Sequence, residues 1–251
     1  MKVKTEAIVL HSFKYGETKL IVDTYTRTHG RLAFAVPVSR SGRLKTGKPY
    51  FQPLTVVALE CDIRPQVQLQ KLTDVSLLSP HAMLLSDPVK MAIALFVAEF
   101  LYHALKSEQA DSRLFDYISN SIEWLDHSPG RYANFHLVFL MHLSRFLGFY
   151  PNLDGLEHGR TEVLRHEEGI YFDLRAGTFC LQPPVHRDFL MPQEAARVKL
   201  MMRMDYATMH LFRMSRAERN RTLEIIELYY RLHLPAFPPL RSLPVLQELF
   251  Q

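Results

Sequence analysis

The first eighty residues alternate apolar and polar positions with a period of two, which predicts β-strands. In the opening segment, KVKTEAIVLHSF, one face of the predicted strand carries Val3, Thr5, Ala7 and Val9. Similar short runs follow, and the five predicted strands cover residues 2–13, 19–26, 31–38, 51–61 and 66–72. Five short strands with a long loop after the third favour a small closed barrel of the OB type. Periodicity alone leaves an SH3-like barrel open.

Beyond residue 80 the apolar positions recur at helical spacing. Asp87 and Pro88 supply an N-cap and a first-turn proline, and Ser215 with Glu218 forms a capping box. The third predicted helix is apolar nearly all round, which is typical of the central helix of a bundle. The predicted helices cover residues 88–106, 111–125, 131–147, a segment from about 193, 216–232 and 243–250.

Residues 151–192 interrupt the helical pattern, and two short runs within them, 170–172 and 178–181, predict a small hairpin. We therefore expect an α+β multidomain protein. Its predicted parts are an OB-fold nucleic-acid-binding domain over residues 1–80, an all-α helical domain over 81–150 and 193–251, and the insert over 151–192.

Charge is distributed unevenly along the chain. Residues 1–80 hold twelve Lys and Arg against six Asp and Glu, a net of +6, whereas residues 81–251 hold eighteen against twenty, a net of −2. The excess is concentrated in residues 39–49, SRSGRLKTGKP, which we call the basic loop. Its glycines and serines predict a flexible segment that can turn its four charges toward one polyanion. The alternative is a solvated hairpin tip.

The remaining counts limit the class of protein. The chain has 251 residues, of which 47% are hydrophobic, enough for one or two domains with substantial cores. Two cysteines, Cys61 and Cys180, are too few for a disulfide framework and fit a reducing compartment. The opening segment lacks the apolar stretch of a signal peptide, and the longest apolar run, residues 91–101, is too short to cross a membrane. We therefore expect a cytoplasmic protein with no membrane partner.

Motifs for catalysis and metal binding are missing from the sequence. There is no G-x-S-x-G, P-loop, G-x-G-x-x-G or H-E-x-x-H motif, and no nucleophile and base at a justifiable spacing. His136 and His142 lie on different faces of one predicted helix. No close pair of zinc ligands occurs among the candidates in the insert, which are His158, His166, Cys180 and His186. We expect no enzyme, no metal and no cofactor. A third possible class of protein is a hydrolase that uses the scattered His and Asp residues around the insert.

Aromatic residues flank the basic loop, as they do on surfaces that bind single strands by base stacking. Phe13 and Phe34 precede the loop, and Tyr50 and Phe51 follow it. We expect Phe34 and Phe51 to fill the barrel core, whereas Tyr50 is a candidate for stacking. The candidate DNA-binding residues are Arg31, Arg40, Arg43, Lys45, Lys48 and Tyr50.

The third predicted helix offers a second candidate surface. In one interpretation, its aromatic residues belong to the hydrophobic core and a nearby arginine extends its charged end to water. In the other, they form one wall of an apolar groove that is flanked by a cation. A groove of that kind would accept the acidic and hydrophobic tail of a partner protein. The candidate tail-binding residues are Phe139, His142, Arg145 and Phe146.

Three stretches of the sequence carry a family resemblance. The opening has the run AIVL from Ala7, then Tyr15-Gly16-Glu17 before the second strand and His29-Gly30 before the third. The middle has LGFYPNL at 147–153 and YFDLRAGTFC at 171–180, and the end has YYRLHLP and LRSLPVL within 229–246. Together these stretches span nearly the whole chain, and they resemble the bacterial RecO proteins.

The resemblance implies a non-enzymatic recombination mediator of the RecF pathway of DNA repair. Such proteins bind single- and double-stranded DNA, anneal complementary strands, bind the acidic C-terminal tail of the single-stranded-DNA-binding protein, and with RecR help to load RecA. It implies the same partners and a cytoplasmic, nucleoid-associated location for this chain. An RNA-binding OB-fold protein is the alternative, because a barrel with a basic loop does not by itself distinguish RNA from DNA.

The sequence departs from the family pattern in the insert. Many members carry a four-cysteine zinc module there, but residues 152–159 are NLDGLEHG and lack the first cysteine pair. Of the second pair only Cys180 is present. We therefore expect a degenerate zinc-finger-like insert that keeps the hairpin and is held by packing rather than by metal.

Overall fold

The N-terminal strands form a closed barrel. The computed structural model describes residues 2–37, 48–64, 66–79, 81–106, 108–153 and 169–249. The barrel strands are β1 (Lys2–Tyr15), β2 (Lys19–Thr26), β3 (Gly30–Pro37), β4 (Val56–Asp62) and β5 (Leu69–Ser79). Their order around the barrel is β1-β2-β3-β5-β4, with β4 pairing back to β1 and only the β3–β5 pair parallel. This arrangement confirms the predicted OB-type barrel.

The barrel interior is filled by the inward-facing positions of the strands. Phe34 and Phe51, which are 1% and 3% exposed, belong to this core as predicted. The buried core residues are Ala7, Val9, Val22, Phe34, Val36, Phe51, Val57, Leu59, Cys61 and Val75.

The fourth and fifth predicted strands have wrong boundaries. The fourth strand begins at Val56 instead of residue 51, because Lys48–Phe51 forms a 3-10 helix and Leu54 adopts a left-handed φ of 64°. The fifth strand covers Leu69–Ser79 instead of 66–72, because β4 supplies pairing partners as far as Ser79. The length of β5 is therefore determined by its pairing with β4 rather than by the alternation of apolar and polar residues in its own sequence.

Seven helices within the described ranges follow the barrel. They are α1 (Ala82–Ser86), α2 (Pro88–Ala104), α3 (Ser112–His127), α4 (Phe135–Phe146), α5 (Pro192–Arg203), α6 (Arg216–His233) and α7 (Ser242–Leu249). Both predicted helix N-caps are confirmed. At the start of α2, Asp87 Oδ1 accepts a hydrogen bond from Val89 N at 2.8 Å. At the capping box, Ser215 Oγ accepts from Glu218 N at 3.2 Å and Glu218 Oε2 accepts from Ser215 N at 2.8 Å.

The described residues divide into two compact units, residues 2–128 with 239–249, and residues 129–238. In the first unit the barrel is anchored on the connection between α2 and α3. Tyr25 Oη donates to the carbonyl of Gln109 at 3.0 Å and accepts from Asp111 N at 3.2 Å, and burial raises the pKa of Tyr25 to about 12. The predicted three-part division at residues 80, 150 and 192 stays a prediction.

The second unit contains a small antiparallel sheet. Its strands are β6 (Tyr171–Asp173), β7 (Thr178–Cys180) and β8 (Phe189–Leu190), in the order β7-β6-β8. The predicted hairpin is therefore confirmed, whereas β8 was missed because two residues carry no visible alternation. The hairpin packs through Phe172, whose ring lies 4.8 Å from that of Phe179 and 5.8 Å from that of Tyr229.

The central helix of the second unit is α4, as its apolar sequence predicts. Nine of its twelve residues are buried, and Tyr230 Oη on α6 donates to the carbonyl of Leu140 at 2.7 Å. Its single buried histidine, His136, is 1% exposed, and desolvation lowers the pKa of His136 to about 3.

Burial of His136 makes folding stability depend on pH. Below pH 6.5, the ordinary pKa of histidine, His136 is protonated in the unfolded chain but stays neutral in the folded chain. The free energy of unfolding therefore falls as the pH drops from about 6.5 toward 3. The loss is about 1.4 kcal/mol per pH unit, or about 2 kcal/mol between pH 6.5 and 5. Denaturant unfolding at both pH values measures this loss of stability. In the His136→Gln variant, we expect the part of the loss that comes from His136 to disappear. An identical acid-induced loss in the variant would contradict this account.

Candidate nucleic-acid interface

In the sequence, the basic loop follows β3 and ends within the 3-10 helix at Lys48–Phe51. Arg40, Arg43 and Lys45 lie outside the described residues, and Lys48 is the first residue of the 3-10 helix. This helix is anchored, because Phe51 is in the barrel core and its carbonyl accepts a hydrogen bond from Ser12 Oγ at 2.8 Å. DNA binding by these four basic residues stays a prediction.

The structure places the other two candidates of this group closer to the interior. Tyr50 is half-buried and packs against the barrel core. The Arg31 side chain is 15% exposed, and its Nη2 lies 3.1 Å from Asp23 Oδ1. Its guanidinium also donates to the carbonyl of Tyr102 and lies 4.3 Å from the centre of that ring. Arg31 therefore joins the barrel to α2, and we place it there rather than among the phosphate contacts.

The four tail-binding candidates on α4 do not form one surface. Phe139 is fully buried, with its ring stacked 6.0 Å from that of Phe135, so its predicted place in a surface groove is corrected to the core. His142 and Phe146 are half-buried. Arg145 is exposed, and its guanidinium lies 4.1 Å above the ring of Tyr150. Tail binding through His142, Arg145 and Phe146 stays a prediction.

A cavity of about 700 Å³ in the second unit was missed by the sequence analysis. It lies where the segment just before α4 meets the segment around the short 3-10 helix Met209–Leu211 and the first turn of α6. Three arginines line it, Arg131, Arg213 and Arg219, together with His210, and no acidic residue from the described part of the chain belongs to its lining. We call it the cationic cavity.

The cationic cavity combines unneutralised charge with an unsatisfied acceptor. Arg131 and Arg213 are exposed and form no ion pair with an acidic side chain in the described part of the chain. Desolvation lowers the pKa of Arg219, which donates to the carbonyl of Met214 at 3.0 Å. Asn134 is 5% exposed and donates to the carbonyls of Met209 and Phe212, yet its Oδ1 has no partner among the described residues.

That set of groups suits a ligand that brings negative charge, an apolar side chain and a hydrogen-bond donor together. The arginines would take the charge, and the exposed Leu211 and the half-buried Phe212 and Met214 would take the apolar group. Positions so far apart in the sequence carry no local signal that they meet, so only the fold reveals this site.

No group of three or more His, Cys, Asp and Glu side chains in the described ranges is arranged to hold a metal ion. Near the hairpin, His186 Nε2 lies 3.2 Å from Asp173 Oδ2. Burial raises the pKa of the Cys180 thiol, which disfavours the thiolate that a metal would bind. Among these same residues, no helix combines the length and the apolar character needed to span a bilayer.

Two family models match consecutive parts of the chain. Recombination protein O N terminal matches residues 1–81, and Recombination protein O C terminal matches residues 85–244. The chain belongs to the RecO family. The boundary between the two RecO models falls between the end of β5 and α2, where the strand pattern gives way to helices.

Curated RecO relatives match the chain over its full length. The DNA repair protein RecO of Phocaeicola vulgatus is 48% identical over 250 residues, and that of Bacteroides fragilis is 48% identical over 251 residues. The DNA repair protein RecO of Porphyromonas gingivalis is 35% identical over 253 residues. In each case 100% of both chains is covered. The RecO resemblance seen in the sequence is thereby confirmed.

Proposed function

We propose that the chain is a recombination mediator of the RecF pathway. It binds single- and double-stranded DNA, anneals complementary strands, binds the tail of the single-stranded-DNA-binding protein, and acts with RecR to promote RecA loading. The observation that carries this proposal is full-length similarity, at 48% identity, to proteins named DNA repair protein RecO. The role needs positioning of strands and partners rather than bond chemistry, so we propose no enzymatic activity. It also implies a cytoplasmic location at the nucleoid.

The barrel supports the DNA-binding part of the proposal. OB-type barrels bind oligonucleotides on an outer strand face bordered by their loops. Residues 1–80 carry a net charge of +6, which favours a phosphate backbone through release of its counterions. The basic loop holds four of these charges in one short segment without an acid.

For the partner tail, the cationic cavity fits better than the α4 residues named from the sequence. An acidic peptide would bring carboxylates to Arg131 and Arg213, and a backbone N–H to the unsatisfied Oδ1 of Asn134. Satisfying a buried acceptor and pairing exposed charges both favour binding. At α4, by contrast, Arg145 already donates to Tyr150 Oη at 2.8 Å.

Charge reversal in the cavity distinguishes the two tail sites. We expect Arg131→Glu with Arg213→Glu to lower the affinity for a fluorescent tail peptide by more than about a hundred-fold, because attraction becomes repulsion at two positions. The matched variant Arg145→Glu leaves the affinity within about two-fold. Isothermal titration or peptide anisotropy measures both. If Arg145→Glu alone abolishes binding, the tail lies on α4 as the sequence suggested.

Annealing of coated strands tests the proposed function as a whole. Complementary oligonucleotides are covered with the single-stranded-DNA-binding protein, and duplex formation is followed with and without the full chain. We expect the chain to accelerate annealing, and to do so only weakly when the coating protein lacks its acidic tail. Annealing that stays at the spontaneous rate in both cases would refute the proposal.

A further inference from the structure

A β-bulge reverses the direction of the side chains along β1. In its first half, Ala7 and Val9 point into the barrel core. Strict alternation would place the following odd-numbered residues inside as well. The pairing register with β2 shifts between Val9 and His11, and beyond that shift Ser12 lies opposite the buried core residue Val22. The odd-numbered residues of the second half therefore face outward, as expected when a bulge re-aims side chains.

The bulge exposes three aromatic side chains on one strand face, His11, Phe13 and Tyr15, which we call the aromatic row. Phe13 is 41% exposed and Tyr15 is 63% exposed, and His11 is exposed as well. Exposed rings in consecutive positions on one face are unusual for a barrel surface, because burying them would stabilise the fold. The row is therefore a candidate binding surface.

The inner end of the aromatic row is held in place by α2. The ring of His11 lies 5.0 Å from that of Tyr102 and 5.5 Å from that of Phe13. Tyr102 is itself contacted by the guanidinium of Arg31, which is ion-paired with Asp23. These contacts fix His11 before any ligand arrives, so binding at the row costs less ordering entropy.

The spacing and charge of the row fit a single nucleic acid strand. Alternate residues on a strand lie about 6.8 Å apart on the same face, so successive rings can each offer a face to a base of one extended strand. Lys19 is paired with Tyr15 across the β1–β2 hairpin and therefore lies on the same face as the row. Lys19 is exposed, so it can reach the phosphates of a strand whose bases lie on the row.

We propose that the aromatic row is a base-stacking surface for single-stranded DNA. The inference rests on the proposed function and deepens it by naming the residues that receive unpaired bases. A duplex gains little from the row, because its bases are already stacked on one another. The row thereby gives the chain a preference for single strands that the basic loop, which contacts phosphates, cannot supply.

Removal of two rings tests the inference in the full chain. We expect Phe13→Ala with Tyr15→Ala to lower the affinity for a labelled single strand on the order of ten-fold per ring. Because no charge is removed, the dependence of affinity on salt keeps its slope. Affinity for a duplex of the same length changes by less than about two-fold, since phosphate contacts are retained.

Two control variants separate stacking from general damage. Leu69→Ala with Leu78→Ala removes two side chains of β5 that are 42% and 49% exposed on the same barrel, and leaves single-strand affinity unchanged. Phe13→Tyr with Tyr15→Phe keeps both rings and retains wild-type affinity. Separately, Tyr15→Trp, in a chain whose one native tryptophan is Trp124, reports stacking through fluorescence quenching by oligo-dT.

The outcomes distinguish this inference from the proposed function. If the wild-type chain binds no single strand, the proposed function fails. If the wild type binds and the alanine variant binds equally well, or loses single-strand and duplex affinity in parallel, the aromatic row is not a stacking surface while the proposed function stands. Absence of quenching in the Tyr15→Trp variant at saturating DNA would also overturn the inference.

Discussion

Replacing the four cations of the basic loop by alanine lowers the affinity for single-stranded DNA by about two to three orders of magnitude at about 50 mM salt. The variant combines Arg40→Ala, Arg43→Ala, Lys45→Ala and Lys48→Ala. Each lost phosphate contact also removes about 0.7 from the slope of log affinity against log salt, so the slope falls by about 3. Anisotropy titrations at four or five salt concentrations measure both quantities.

A charge-matched variant controls for the change in net charge. Arg113, Arg187, Arg203 and Arg231 are exposed and lie outside the barrel, so their replacement by alanine also removes four positive charges. We expect that variant to keep the wild-type salt slope. Equal slopes for the loop variant and the wild type would show that the basic loop does not contact DNA.

The second large effect concerns stability and is expected at Gly30, the first residue of β3. Gly30 has a φ of 64°, and a Cβ added there would lie 2.8 Å from the backbone of residues 108, 109 and 110. Gly30→Ala therefore adds a steric clash with main-chain atoms to the strain of a left-handed backbone. We expect a loss of about 3 kcal/mol in the free energy of unfolding, measured by denaturant titration.

Gly16 provides the matched control for this substitution. It has the same φ of 64°, but an added Cβ would meet nothing within 4 Å. Gly16→Ala therefore costs only the backbone strain, about 1 kcal/mol. The difference between the two variants isolates the packing of the barrel on the connection between α2 and α3. Equal losses would mean that this contact does not stabilise the first unit.

Most secondary structure could be predicted because the signals are local. The strands at Lys19–Thr26 and Gly30–Pro37, the Asp87 N-cap and the Ser215 capping box all depend on residues close together in the sequence. The start of β4 and the end of β5 could not be predicted in this way, because they depend on a left-handed Leu54 and on pairing between the two strands. Such boundaries are set by tertiary structure.

The candidate sites were predicted less completely than the fold. The bulge between Val9 and His11 changes which face of β1 is exposed, and alternation continued without it would bury Phe13. Phe139 was assigned to a surface because helical spacing shows which residues share a face but not what covers that face. The basic loop was found from composition alone, since a flexible cationic segment needs no fixed geometry to attract phosphate.

The central claim is that the chain acts on DNA, and one titration tests it most directly. Labelled single-stranded DNA and an RNA of the same sequence are titrated with the full chain across a range of salt concentrations, and anisotropy reports binding. The account predicts binding to DNA with a steep salt slope and no preference for the RNA. Failure to bind DNA, or a clear preference for RNA, would contradict it.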